Sequence, residues 1–330
     1  MKTQKNLIVY NTCGIKKDNT YEYPRYIKSL LAQKYKDETD TKIIVSLCRP
    51  REDTVPHLKK VFADQDLDFL VINDALPVNV TFNKAIRESV KKYGPFDNYV
   101  YTSADSLVDG ENDMQTLFDG MLENPNYGMF SAQIDIDSCY AYGLKLGGRR
   151  RAIDDERARF EMFSDGTDYI VPVGRACAAH CQVYSSKIFD FYGNCCPDIF
   201  ASYCTESIFS FVNAAIGLNW AISEKVLIRH AAGMDGASCA TEPEKHKLDN
   251  PRTGSYDHAF GIDSLLPIFQ NEKAKQLGLG YEECQGIVMH DPSQYKDNLC
   301  INDELKFYIK DNLYLTSDKF DYDKIDCAYV

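Results

Sequence analysis

Long apolar runs are missing from this sequence. No stretch of about eighteen apolar residues exists, which excludes a transmembrane helix. The opening residues Met1 to Asn6 lead only into Leu7-Ile8-Val9-Tyr10, too short for the apolar core of an export signal, so a cytoplasmic protein is expected. Positive charge is also in deficit: 37 Lys and Arg stand against 49 Asp and Glu, a formal net charge of −12. Nucleic acid demands a concentrated basic face, so that class of partner is excluded. The one dense basic group, Arg149-Arg150-Arg151 with Arg157 and Arg159, stands beside Asp154, Asp155 and Glu156 and reads as a solvated helix start, a nucleotide-sized anion being the alternative.

Several catalytic signatures are missing too. No Gly-x-Gly-x-x-Gly follows the first apolar run, which argues against a dinucleotide dehydrogenase. Gly-x-x-x-x-Gly-Lys-Ser/Thr is absent, which removes a P-loop NTPase, and no Gly-x-Ser-x-Gly elbow supports an α/β-hydrolase. Twelve cysteines are present but form no Cys-x-x-Cys zinc framework. Cys177 and Cys181 flank His180, and Cys195 and Cys196 are adjacent; most are read as reduced, buried thiols.

What is present is alternation. Apolar strand-like runs at Leu7–Tyr10, Ile43–Leu47, Phe69–Ile72, Tyr99–Thr102 and Tyr127–Ile134 are separated by helical spacing at Pro24–Tyr35, Leu58–Phe62, Phe82–Val90 and Asp113–Leu122. Such alternation predicts an α/β fold, a mostly parallel sheet wound with helices on both faces. Beyond Asp135 the pattern loosens. Helices are expected at Ala152–Met162, Lys187–Tyr192, Thr205–Ala215, Pro267–Leu277 and Asp303–Leu313. Short strands are expected at Tyr169–Val173, an edge strand because of Pro172, and at Trp220–Ile222 and Val226–Ile228. Ala176–Tyr184 is mostly small and apolar, and Gly233–Ser255 reads as an exposed segment. The division expected is residues 1–235 as the catalytic domain and 236–330 as a partly helical C-terminal extension.

The stretch Asp97 to Asp109 organises the chemistry. Its strand ends on Ser103 and Ala104, followed by Asp105. A carboxylate just past a strand's carboxyl end faces the crevice where open α/β sheets bind ligands, and is a hard oxygen donor for a divalent metal. Capping the next helix is the competing role. His230, after a later strand, is a second candidate ligand or a buried, hydrogen-bonded histidine. Glu206 opens a helix, where it serves as a general base or complements the helix dipole.

In order and spacing, these features resemble the GT-A-fold glycosyltransferases, similar to family 2, over roughly residues 5–235. The likeness rests on the first strand running into Tyr10-Asn11, on Asn83-Lys84-Ala85-Ile86, and on Ser103-Ala104-Asp105 at the Asp-x-Asp position. It continues through an acceptor-side stretch at 176–200, Thr205-Glu206 at a helix start, and His230 after a strand. The resemblance implies a GT-A (Rossmann-like) sheet with a C-terminal extension. A nucleoside-diphosphate sugar would lie against Ile8, Tyr10, Asn11, Ser46, Asn83, Ser103 and Ala104, with Asp53 the alternative to Ser46. Mn²⁺ or Mg²⁺ would be held by Asp105 and His230, and Glu206 would be the base in inverting transfer to a glycan or lipid-linked acceptor. Two departures stand out. Ser46-Leu47-Cys48-Arg49-Pro50-Arg51 replaces an acidic strand end, which turns Arg49 or Arg51 toward phosphate; Ser103 replaces a first Asp, which predicts a loosely held metal. A catalytically silent binding protein is the alternative reading, and a sugar nucleotidyltransferase a third. The C-terminal segment is a candidate dimer contact; His258 and His290 within it are expected to be structural.

Overall fold

The computed structural model describes residues 3–12, 23–74, 76, 78–103, 106–134, 167–171, 181–197, 205–230, 272–277, 279–282, 286–289, 303–313 and 321–330. The expected helix at 152–162, the arginine cluster, the segment 233–255, His258 and His290 all lie outside the described residues. Strands are β1 (Gln4–Thr12), β2 (Thr39–Cys48), β3 (Asp68–Ile72), β4 (Asn98–Ser103), β5 (Ser106–Leu107), β6 (Tyr127–Ile134), β7 (Tyr169–Ile170), β8 (Cys181–Ser185), β9 (Asn219–His230), β10 (Leu279–Glu282), β11 (Gly286–Met289) and β12 (Cys327–Tyr329). Helices are α1 (Tyr23–Leu31), α2 (Thr54–Val61), α3 (Val78–Tyr93), α4 (Asp113–Glu123), α5 (Ser186–Tyr192), α6 (Thr205–Ala215), α7 (Glu272–Gln276) and α8 (Asp303–Leu313).

One mixed sheet runs in the order β12-β3-β2-β1-β4-β8-β6-β9-β5, with β7 on β9 beside that path; β10 and β11 form a separate hairpin. The β3-β2-β1-β4 portion is parallel throughout. Leu7, Ile8, Val9 and Tyr10 in its centre have no exposed surface, as expected of a strand covered on both faces. β8 enters antiparallel between β4 and β6, making the sheet mixed. Trp220 of β9 is buried, its indole N–H donating to Ser131 Oγ at 2.9 Å, so its polar edge is satisfied within the core.

Among the described residues, three differences from the expected elements bear on the main sheet. The two short strands at 220–222 and 226–228 are one strand, β9, bulged against β6. β8 lies in a stretch whose small residues gave no strand period. The third difference is the chain's last segment. β12 pairs antiparallel with β3, and around it Asn73 N–H donates to Asp326 O at 2.9 Å while Val330 N–H donates to Phe69 O at 3.0 Å. Residues 321–330 therefore add an edge strand to the sheet that the first part of the chain builds.

A polar cluster seals this edge. Tyr329 Oη and Ser89 Oγ are 2.8 Å apart, and Lys92 lies 4.0 Å over the Tyr329 ring. Asp68, at the head of β3, meets Lys42 at 3.0 Å, Lys92 at 3.3 Å and the Tyr93 hydroxyl. Burial works to raise the Asp68 carboxyl, but these donors prevail and hold it below the ordinary 3.8. A depressed carboxylate contributes stability above its unfolded-state pKa, and that stability is lost as pH falls through the folded value. Asp68→Asn is therefore expected to lower the urea midpoint at pH 7 and to match wild type once the pH is taken below that depressed value. Tyr329→Phe, losing only the hydroxyl bond, is expected to cost about 1 kcal/mol by the same measurement.

Candidate active site

The carboxyl ends of β1, β2 and β4 lie side by side because the three strands are parallel and in register. Ser46, Asn11 and Ser103 form one row across them. Register partners on neighbouring strands present their side chains to the same face, so this row is a polar ledge at the sheet edge. Asn11 extends from it to α3, its amide donating to Val78 O at 2.9 Å and meeting Thr81 Oγ1 at 3.0 Å. That ties the end of β1 to the first turn of α3. Ser46 Oγ is buried and, among the described residues, has no hydrogen-bond partner.

Ala104 and Asp105, which follow β4 in sequence, lie outside the described residues. The residues on either side of them are tied together: the Ser103 and Ser106 hydroxyls hydrogen-bond to each other. Ser106 then pairs antiparallel with His230 across β5 and β9, and Leu107 with Arg229. The chain position next to Asp105 is thus in register with His230, although 124 residues separate the paired positions by number. The side chain of His230 lies outside the described residues. So does that of Glu206, whose backbone is in the first turn of α6. Among the described residues no group of three or more His, Cys, Asp or Glu could hold a metal.

Three of the expected donor residues have other duties. Ile8 and Tyr10 are fully buried, because β1 continues to Thr12 and leaves both below the sheet edge. Asn83 is also fully buried. Its Oδ1 accepts from Cys195 N–H and Cys196 N–H, both at 3.1 Å, while its Nδ2 donates to Cys196 O at 2.6 Å and Tyr322 Oη at 3.1 Å. Two donors and two lone pairs are the whole capacity of an amide, so none is left for a nucleotide.

Reading the sequence alone missed the row to which Asn83 belongs. Asn79, Asn83 and Arg87 recur every fourth residue and so share one helix face. Asn79 Nδ2 reaches Pro197 O at 3.5 Å, and Arg87 donates to Gly193 O at 2.8 Å and Asn194 Oδ1 at 3.0 Å. Together they hold the backbone of 193–197, which follows α5. That helix is capped at its start by Ser185 and ends on Gly193, at φ 82°, a left-handed turn that suits glycine. The i, i+4, i+8 polar spacing was the available signal, but it also describes any solvated helix face.

Cys48, Cys181, Cys195 and Cys196 are buried and form no disulfide among the described residues. Burial pushes Cys181 up to about 12 and Cys195 well above its ordinary value. At the end of β2, Arg49 has φ 48°, a left-handed conformation that is uncommon for a non-glycine residue. Its N–H donates to Ile72 O at 2.7 Å, while Arg51 Nε lies 3.4 Å from Asp53 Oδ1.

Asn83→Ala would leave two buried N–H groups and a carbonyl unpaired, and is expected to cost about 2–5 kcal/mol in urea unfolding.

No protein-family model matches the chain, and no curated protein sequence does. Solved structures do. GalNAc-T7 with UDP, GalNAc and Mn²⁺ aligns at a TM-score of 0.53 and 11% identity, over 98% of this chain and 56% of that one. The mannosyltransferase PcManGT from Pyrobaculum calidifontis, in complex with GDP-Man and Mn²⁺, aligns at 0.48 and 13%, over 72% and 59%. TarS of S. aureus aligns at 0.46 and 10%, over 74% and 39%. The chain therefore spans less than two thirds of the length of each of these structures. At such identities the likeness is one of fold: the mixed α/β sheet of this chain is the GT-A fold of nucleotide-sugar glycosyltransferases.

Proposed function

We propose that this chain transfers a sugar from a nucleoside-diphosphate donor to a hydroxyl of a glycan or lipid-linked acceptor, with inversion and assistance from a divalent cation. The observation that supports it is the Ser106–His230 register at the carboxyl edge of the sheet, beside Ser103 and Asn11. Asp105 is the residue before Ser106, and consecutive Cα atoms are about 3.8 Å apart, which supports pairing Asp105 with His230 in one site. A carboxylate oxygen with an imidazole nitrogen is a donor set that suits Mn²⁺ or Mg²⁺. Asp105 and His230 would hold such an ion, and when bound it supplies positive charge to the leaving diphosphate. Ser103 and Ala104, with Asn11 and Ser46, would line the donor.

Glu206 is assigned the proton. The acceptor oxygen forms its bond to the anomeric carbon as the bond from that carbon to the diphosphate oxygen breaks. The acceptor proton passes to the Glu206 carboxylate, and the diphosphate leaves with the electron pair. The first turn of a helix is a favourable place for that carboxylate while it is charged.

Donor hydrolysis with Mn²⁺, followed by release of nucleoside diphosphate from UDP- and GDP-linked hexoses, tests this reading. Asp105→Ala and His230→Ala are each expected to lower the rate by about 10²-fold or more. Donor binding by the wild type without turnover against any acceptor would instead make it a silent binding protein. Because Ser103 stands where a second carboxylate would strengthen the site, Mn²⁺ is expected to bind weakly alone and more tightly with nucleoside diphosphate. Tight calorimetric binding of Mn²⁺ without nucleotide would contradict this.

A further inference from the structure

We propose that Tyr322 is a positioning residue for transfer, acting through Asn83 and Arg87 on the segment that leads into the helix of Glu206. The inference rests on the transferase reading above for its catalytic consequence, but not for its structural content. Residues 193–197 form neither helix nor strand, so their backbone groups must find partners outside regular structure. They find them in the α3 row. Asn79, Asn83 and Arg87 bind the backbone of Gly193, Cys195, Cys196 and Pro197 and the side chain of Asn194.

Tyr322 holds that row from its other side. Its hydroxyl takes the remaining N–H of Asn83 at 3.1 Å, and its ring lies under the Arg87 guanidinium, 4.4 Å from ring centroid to Cζ. Its carbonyl accepts from Lys84 Nζ at 2.7 Å, a buried ammonium also paired with Glu88 at 2.8 Å. The hydroxyl contact restrains Asn83 and the ring contact restrains Arg87. An amide with one free N–H can turn toward another acceptor, whereas one with all four sites filled cannot. Tyr322 thus fixes the orientation of Asn83, and Asn83 fixes Cys195 and Cys196. The chain then needs only residues 198–204 to reach α6, whose first turn carries Glu206. A general base works only within hydrogen-bond reach of its proton, so small displacements of the segment that delivers it are felt in the rate.

Tyr322→Phe in the full chain removes the hydroxyl and keeps the ring. With Mn²⁺, UDP- and GDP-linked hexoses and water as acceptor, kcat is expected to fall about tenfold while donor KM stays within about twofold. Hydrogen exchange is expected to quicken at the Cys195 and Cys196 amides, with the thermal midpoint only slightly lowered. An unchanged kcat, or a donor KM that rises in step with the loss of kcat, overturns the proposal. If the wild type turns over no donor, the transferase reading falls instead. Exchange at Cys195 and Cys196 then decides the coupling by itself: faster exchange upholds it and unchanged exchange overturns it. Should Tyr322→Phe fail to fold, Arg87→Lys keeps the charge but breaks the planar fork, and the same split between kcat and KM is expected.

Discussion

A buried amide must have all its hydrogen bonds met, and Asn83 meets its own with two pieces of chain far from it in sequence. It sits on the helix between β3 and β4, binds the backbone of the segment after α5, and donates to the hydroxyl of Tyr322 near the end of the chain. Leaving any of these groups unpaired in the interior costs on the order of 1–3 kcal/mol. That penalty dictates much of the arrangement around α3. Lys84, one residue along, adds a buried charge whose partners are Glu88 and the Tyr322 carbonyl. Burial disfavours an unpaired ammonium strongly, so here too the tail is held where it is by the cost of leaving.

The sheet edge carries the polar row that this arrangement braces. Ser46, Asn11 and Ser103 share a row, and Ser106 brings His230 to the end of the same edge. Asn11 binds its row to the first turn of α3, the helix that also orders 193–197. Ledge and loop are therefore braced by a single element, with the amides of Asn11 and Asn83 reaching it from opposite sides of the problem: one from the strand, one toward the loop.

Much of this was legible in advance. The Leu7–Tyr10 and Tyr99–Thr102 runs announce their strands because parallel central strands are apolar on both faces. α3, α4, α5 and α6 follow from helical spacing. Asp105 drew attention as a carboxylate past a strand end; it lies outside the described residues, and what the structure shows there is the pairing of the next residue, Ser106, with His230. What was not legible depended on partners remote in sequence. Asn83 resembled a donor residue, yet nothing local could show that Cys195, Cys196 and Tyr322 would use up its amide. β12 is three residues long in an acidic, aromatic tail, and only the bare edge of β3 gives it a reason to be a strand. Ile8 and Tyr10 belong to the fully buried middle of β1, which runs on to Thr12.

The lateness of β12 has a consequence in time. Asn73, at the end of β3, bonds to Asp326, 253 residues further along the chain. Chains are synthesised at about 5–20 residues per second, so β3 waits on the order of 10–50 s before its neighbour exists. During that interval one flank of the sheet presents unpaired N–H and C=O groups, the template on which strands of other molecules add. Lys42 and Lys92 meet Asp66 and Asp68 beside β3, so charges of both signs border that edge of the growing chain while it stands open.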